Sequence, residues 1–336
     1  QYSDDDSVVL MAMKQLKILT PLAVDSKIDV VNKPKSMWQH MIDMQVGYDS
    51  NVSLPYDGEE ILFKEGSDKF VNLLANTNWM SSRNLANAWF FDATYFNSTY
   101  KEASDYDVGL IALNGRKYFS FDTWQDSNFY LGVAYDTISI AGKNYLNNSS
   151  MTLGSSFTLS STQKFLVDLT IKNVSGGSDD YEYLAGSSNR VKLTWRERTD
   201  GGYWKAGMIF QQDDRNNRYT YTVTESGVST NEVDDFINYS TDRMSLFTSR
   251  FWGYEQWEFS VNANYRVSEY DAENIVDGES VGIREDKRMS VVLSSAYNIN
   301  DSFAVTTDID WSKNTSTFSS YDYNQYTVTC GSTWLF

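Results

Sequence analysis

The chain has 336 residues, a formal net charge of -17 and a pI near 4.4, so it lacks the basic footprint that a nucleic-acid partner requires. Its single cysteine, Cys330, excludes an internal disulfide. No run approaches ~18 apolar residues, which excludes a membrane-crossing helix.

Aromatic residues make up 15% of the chain while the mean hydropathy is -0.47. Many rings on a polar average suit a wall that turns rings one way and polar groups the other. All three prolines, Pro21, Pro34 and Pro55, lie in the first 55 residues. Proline cannot donate to a ladder and is kept out of central strands. The long proline-free remainder therefore points to a sheet without edges, a closed barrel.

The chain begins at Gln1, as a processed product would, and residues 1–37 differ from the rest. Asp4, Asp5, Asp6 and Ser7 start a short helix with acids at the positive end of its dipole. Val9, Met13 and Leu16 share one face of it, and Thr20-Pro21 ends it. Two readings stay open for this segment: a periplasmic or plug element restricting a barrel mouth, or the remnant of a larger N-terminal domain.

From Met41 onward apolar and polar residues alternate with period two, and residues 38–336 read as one barrel. The first strand sets Ile42, Met44, Val46 and Tyr48 against Asp43, Gln45 and Gly47; the second sets Val71, Leu73 and Trp79 against Asn72, Asn76 and Asn78. The third turns Trp89, Phe91 and Tyr95 away from Asp92, while the fourth, near Val108 to Phe121, has no clear register. The fifth, sixth and seventh run through Phe129–Tyr135, Met151–Phe157 and Phe165–Ile171. The eighth and ninth alternate Val191, Leu193 and Trp195 with Lys192 and Arg196, then Trp204, Ala206 and Met208 with Lys205. A less marked tenth strand covers Arg243–Phe251, and the eleventh, Trp257–Val267, is the most regular. The twelfth and thirteenth cover Met289–Tyr297 and Phe303–Trp311. The connections sort by parity: long or moderate ones near 49–67, 97–106, 139–149, 173–188, 211–241, 268–286 and 313–323 alternate with tight links. Acidic residues such as Asp213, Asp214, Asp234, Glu269 and Glu279 gather in the long ones.

The fourteenth strand, Tyr326–Phe336, reads Y-T-V-T-C-G-S-T-W-L-F. It resembles the closing strand of Gram-negative outer-membrane β-barrels, which ends in Phe with aromatics at alternate positions. The resemblance implies an all-β, transmembrane, antiparallel up-and-down barrel of about fourteen strands in the bacterial outer membrane. It also implies contact with lipid and lipopolysaccharide, and recognition of the last strand by the barrel-assembly machinery.

Two residue sets follow from the alternation. Asp43, Asp92, Asp136, Asp168, Lys172, Lys192, Arg196, Lys205, Arg250, Glu258, Arg266, Arg288, Asp308 and Asp310 are expected to line the pore. Trp79, Trp89, Trp195, Trp204, Trp257, Trp311, Trp334 and Phe336 are expected to form aromatic girdles. Some outer-membrane barrels are phospholipases or omptin-like proteases that use a histidine with acids or a serine. Here the sole histidine, His40, sits at the strand edge where both chain ends lie and reads as an interfacial residue. No Walker, dinucleotide or zinc spacing occurs, so no catalytic residue, metal or cofactor is expected, and Asp308 and Asp310 are simplest as wall polarity.

One stretch, Gly47-Tyr48-Asp49-Ser50-Asn51-Val52, is similar to the motif that opens the C-terminal barrel of tetratricopeptide-linked outer-membrane proteins of the surface lipoprotein assembly modifier type. No complete 34-residue helical repeat precedes it, so the resemblance permits translocation of surface lipoproteins without requiring it. The expected function is a channel or translocation pore for a solute, polysaccharide or protein. The alternative is a structural barrel with a closed lumen whose acidic extracellular loops bind a protein partner.

Overall fold

Period-two alternation can be satisfied in a membrane only if every strand finds two neighbours, and the chain does so by closing on itself. In the computed structural model the wall strands are β1 (Trp38–Asp49), β2 (Asp68–Met80), β3 (Trp89–Tyr100), β4 (Val108–Phe119), β5 (Ser127–Ile140), β6 (Lys143–Thr158), β7 (Gln163–Gly176), β8 (Gly186–Thr199) and β9 (Gly202–Arg215). A hairpin of β10 (Arg218–Val223) and β11 (Ser229–Ile237) follows. The wall resumes with β12 (Thr241–Tyr254), β13 (Trp257–Val276), β14 (Glu279–Asn300), β15 (Phe303–Ser316) and β16 (Tyr323–Leu335). The structure describes residues 37–52, 66–82, 87–120, 127–223, 229–276 and 278–336. The helix expected within 1–37 lies outside these residues, as do Pro55 and parts of two tight links.

Without the β10–β11 hairpin the wall has 14 strands, each antiparallel to both neighbours. β1 closes it by pairing with β16 from Met41 opposite Leu335 to Asp49 opposite Thr327. Going once round the wall, the paired positions climb by more than the 12 residues of β1, so the strands tilt steeply, in the manner of outer-membrane barrels.

The start of β1, the end of β16 and the tight links lie at one rim, the terminal rim; the other is the loop rim. Two connections at the loop rim differ from expectation. The one near 139–149 shrinks to Ala141-Gly142, both at positive φ (49° and 75°), the two-residue turn that matches strand twist. Residues 268–286 are not a loop: β13 and β14 stay paired as far as Val276 and Glu279. Their pairing with β12 and β15 stops at Tyr270 and Asp286, so the hairpin stands above the wall. There β11 joins it through Phe236 opposite Ile275. The polar sequence of this stretch suggested a loop because above a membrane both faces of a hairpin are free to be polar.

The two faces of the wall differ as the alternation requires. Val46, Val133 and Ile171 point outward and are 63%, 60% and 67% exposed, while inward neighbours such as Asp43, Gln45 and Asn72 are buried. So large an exposed apolar surface is unstable in water and marks a lipid-facing belt. Rings frame it. At the terminal rim Trp38 meets Trp79, Trp79 stacks on Phe91, Phe91 on Trp89, Trp257 meets Phe259 and Tyr297, and Trp334 meets Phe303. Trp195, Trp204 and Phe336 belong to the same rim. Toward the loop rim Tyr48 meets Tyr326, and Trp311 lies opposite Tyr326.

The belt has a direct consequence. Leu293, outward-facing and paired with Val261 in the middle of the wall, should lose about 2–4 kcal/mol of barrel stability as Leu293→Arg. Asn262→Arg, one residue from Val261 and facing inward, should be tolerated. Unfolding titrations in lipid vesicles read both.

Candidate functional site in the barrel lumen

The inner wall begins with its acids, which are held by neutral donors. Asp43 accepts the Thr333 hydroxyl at 2.5 Å, Asp92 the Asn76 amide at 2.7 Å, Asp136 the Asn148 amide at 2.6 Å and Asp168 the Tyr130 hydroxyl at 2.6 Å. Asp308 accepts Gln45 Nε2 at 3.2 Å and the Thr329 hydroxyl at 3.3 Å, and Glu258 accepts the Asn298 amide at 3.1 Å. Each of these partners comes from the same strand or a near neighbour, so the acids are tied into the wall. The basic residues sit mainly on another sector. Lys172, Lys192, Arg196 and Lys205 face inward from β7, β8 and β9, and Arg266 lies opposite Arg288 on β13 and β14.

By strand register every residue expected to line the pore shares the inward parity except Arg250. It lies opposite Trp204, which faces outward, stacks on that ring at 4.9 Å and donates to the Thr199 hydroxyl at 3.0 Å. The β12 run Phe247–Trp252 carries rings on both faces, so its alternation does not reveal which face is inward. Arg250 instead places its charged end near the terminal rim and its stem along the belt, as long cations do at interfaces. Asp213, grouped with the loop acids by sequence, is also an inner-wall residue of β9, paired with Arg215 at 3.4 Å and Arg243 at 3.1 Å.

The lumen also has an apolar sector that alternation alone did not show. Phe96, Leu110, Ile138, Leu146 and Val174 face inward from β3 to β7 and are buried. The connection 177–185 folds in over them, with Tyr181 and Leu184 inside the cluster. A bulge in β6 at Tyr145 breaks the register with β5 and turns that ring inward, 4.7 Å from Tyr181 at 75°. Arg215 Nη1 donates to the Leu184 carbonyl at 3.0 Å and the Asn216 amide to the Glu182 carbonyl at 3.1 Å, fixing the far side of this connection. It therefore fills the loop-rim end of the lumen beside β4–β7.

The motif Gly47–Val52 lies where the barrel closes. A Cβ at Gly47 would strike the Phe70 ring. Asp49, fully buried, accepts both carboxylate contacts from Gln325 Nε2 at 2.9 Å, the Tyr100 hydroxyl at 3.1 Å and the Asn51 N–H at 2.9 Å. Ser50 exchanges bonds with the Tyr326 backbone, and Val52 packs on Phe70 and Tyr100. Across the seam, burial pushes the Asp68 carboxyl up, but the N–H groups of Glu102, Ala103 and Lys69, with Lys101, outweigh it and hold the carboxyl below its ordinary range.

His40 faces outward, bonded to the Thr77 hydroxyl and stacked on Trp38, and Cys330 is exposed on the outer face opposite Thr307. Neither meets an inner-wall acid.

No protein-family model matches the sequence, and no curated protein matches it. Among solved structures the fold is similar to an anion-selective porin from Comamonas acidovorans, at 10% identity and a TM-score of 0.44, covering 89% of this chain and 98% of that one. It is similar to OccAB3 of Acinetobacter baumannii at 9% identity and a TM-score of 0.44, covering 89% and 99%. It is also similar to the translocator domain of the autotransporter NalP from Neisseria meningitidis at 9% identity and a TM-score of 0.36, covering 98% and 97%. Likenesses at this level carry no argument about cargo, which rests on the residues of this chain.

Two outcomes are expected at the seam. Asp49→Ala strands the Gln325 amide and the Tyr100 hydroxyl and should cost about 2–4 kcal/mol, read by urea titration in vesicles. Asp68, with its carboxyl depressed on folding, contributes stability that is present above the unfolded pKa of ~3.9 and lost as pH falls through the lower folded value. Amide exchange at Glu102 and Ala103, corrected for its intrinsic rate, should quicken in that acid range and stay flat above it.

Proposed function

We propose that the chain is an outer-membrane channel that passes solutes through its lumen, with both chain ends periplasmic and the loop rim outside. The observation that carries this reading is a closed 14-strand wall with an apolar belt outside and a charged inner face. A barrel of ~8 strands is filled by its own side chains and one of ~16 leaves an aqueous channel, so this one has room for a path beside the tucked connection. The belt places lipid and lipopolysaccharide around it. The seam geometry gives Gly47–Val52 a structural role in closing the wall, so the motif supports barrel kinship and leaves lipoprotein cargo as a separate question. His40 and the tied inner acids favour transport over catalysis.

Purified protein in planar bilayers should give discrete conductance steps. Removing residues 178–184 should raise the single-channel conductance severalfold, because that connection occupies part of the loop-rim cross-section. A folded protein with no conductance would overturn the channel reading; an unchanged step in the deletion would show that the connection does not bound the path.

A further inference from the structure

The chain as a whole is acidic, at -17, yet one sector of its inner wall is basic. Of the seven inward positions of β8, Gly186 to Arg198, four are cations, Arg190, Lys192, Arg196 and Arg198, all in the part of the strand toward the terminal rim. Their neighbours add to the charge. Lys164 of β7 lies directly opposite Arg196, and Arg196 lies directly opposite Lys205 of β9, which sets three cations side by side in one row. Like charges directly opposite one another repel, so the row concentrates positive potential on this part of the wall. The Tyr203 ring lies beside the row, 4.6 Å from the Arg196 guanidinium and 4.9 Å from Lys205 Nζ. Toward the loop rim the Arg266–Arg288 pair repeats the arrangement across β13 and β14.

The opposite wall does not mirror this. Asp43 and Asp308 are buried, the half-buried Asp92 and Asp136 accept hydrogen bonds from neutral side chains, and Asp168, opposite Lys192 beside the ladder, accepts the Tyr130 hydroxyl. Lys164 and Arg198 are exposed and Arg190, Lys192, Arg196 and Lys205 half-exposed. The apolar cluster and the 177–185 connection cover the loop-rim wall of β4–β7, and the cations of β7–β9 nearer the terminal rim lie outside that cover. The β7–β9 row is therefore a run of accessible cations on the inner wall.

We propose that this ladder makes the pore anion-selective, and that its preferred cargo is a small solute carrying two or more carboxylate or phosphate groups, passed along the cations of β7–β9. The inference rests on the channel reading above. A row of cations spaced one strand apart engages a multivalent oxyanion at two groups at once, where a single carboxylate meets one, and a charged wall raises the local concentration of counter-ions.

The test is the reversal potential of the full chain in planar bilayers under a KCl gradient, followed by titration with citrate and with acetate at equal ionic strength. Chloride should be favoured over potassium by on the order of threefold or more, and citrate should reduce the chloride current where acetate does not. Lys164→Gln/Arg196→Gln/Lys205→Gln should move the selectivity to near unity and remove the citrate effect, while Lys69→Gln on the outer face should change neither. If the triple variant fails to assemble, Lys192→Gln should weaken selectivity and Arg196→Lys retain it. A conducting wild type that prefers potassium, or a folded triple variant with unchanged selectivity, overturns the proposal and leaves the channel intact. Absence of any conductance from the folded wild type overturns the channel reading itself.

Discussion

Closure of β1 on β16 is the constraint on which everything else depends. In lipid an unpaired backbone group has no water to turn to, so the first and last strands of the wall must find each other across the whole length of the chain. The seam shows how heavily that meeting is reinforced. Asp49 gathers a glutamine from the last strand, a tyrosine from the third and its own Asn51 N–H, all out of contact with solvent. Gly47 gives up its side chain so that Phe70 can lie over the wall. A six-residue signature that reads as a family motif is, physically, the fastening of a cylinder.

Once the cylinder is closed, its lumen is fixed by parity, and parity divides labour unevenly around the circumference. Acids on β1, β3, β5 and β15 are spent on amides and hydroxyls and stiffen the wall. Aliphatic and aromatic residues on β3–β7 serve as the floor for an inward-folded connection. The basic stretch of β7–β9 stays accessible to the lumen. The net charge of the chain thus conceals the charge that a solute would encounter.

Most of this wall was legible from alternation, because a lipid outside and water inside impose opposite demands on successive residues. The failures are instructive. β4 has Val108 and Leu110 inward as well as Ile111 and Leu113 outward, so its upper half presents apolar residues on both faces and hides its register. Arg250 escapes the alternation because Phe247, Phe251 and Trp252 put rings on both faces of β12. The protruding hairpin has the polar sequence of a loop since no lipid sorts its faces, and the tucked connection leaves no periodic trace at all. Its partner surface is assembled from the inward side chains of five strands, β3 to β7, which local pattern cannot reveal.

The hairpin that rises from β13 and β14 reintroduces what the barrel abolishes. With β10 and β11 it makes a small sheet above the wall, and that sheet has two open margins: β10 on one side and the stretch from Glu279 to Ile283 on the other. Open margins invite strands from other molecules. Here the second margin is kinked by Gly282 at a φ of 99°, broken by the register shifts after Glu269 and Asn274, and flanked by Glu273, Glu279 and Glu285. Two copies approaching through it would bring carboxylate against carboxylate on backbones too twisted to zip together. Among the described residues this unclosed margin is acidic and kinked, which disfavours pairing with a second copy.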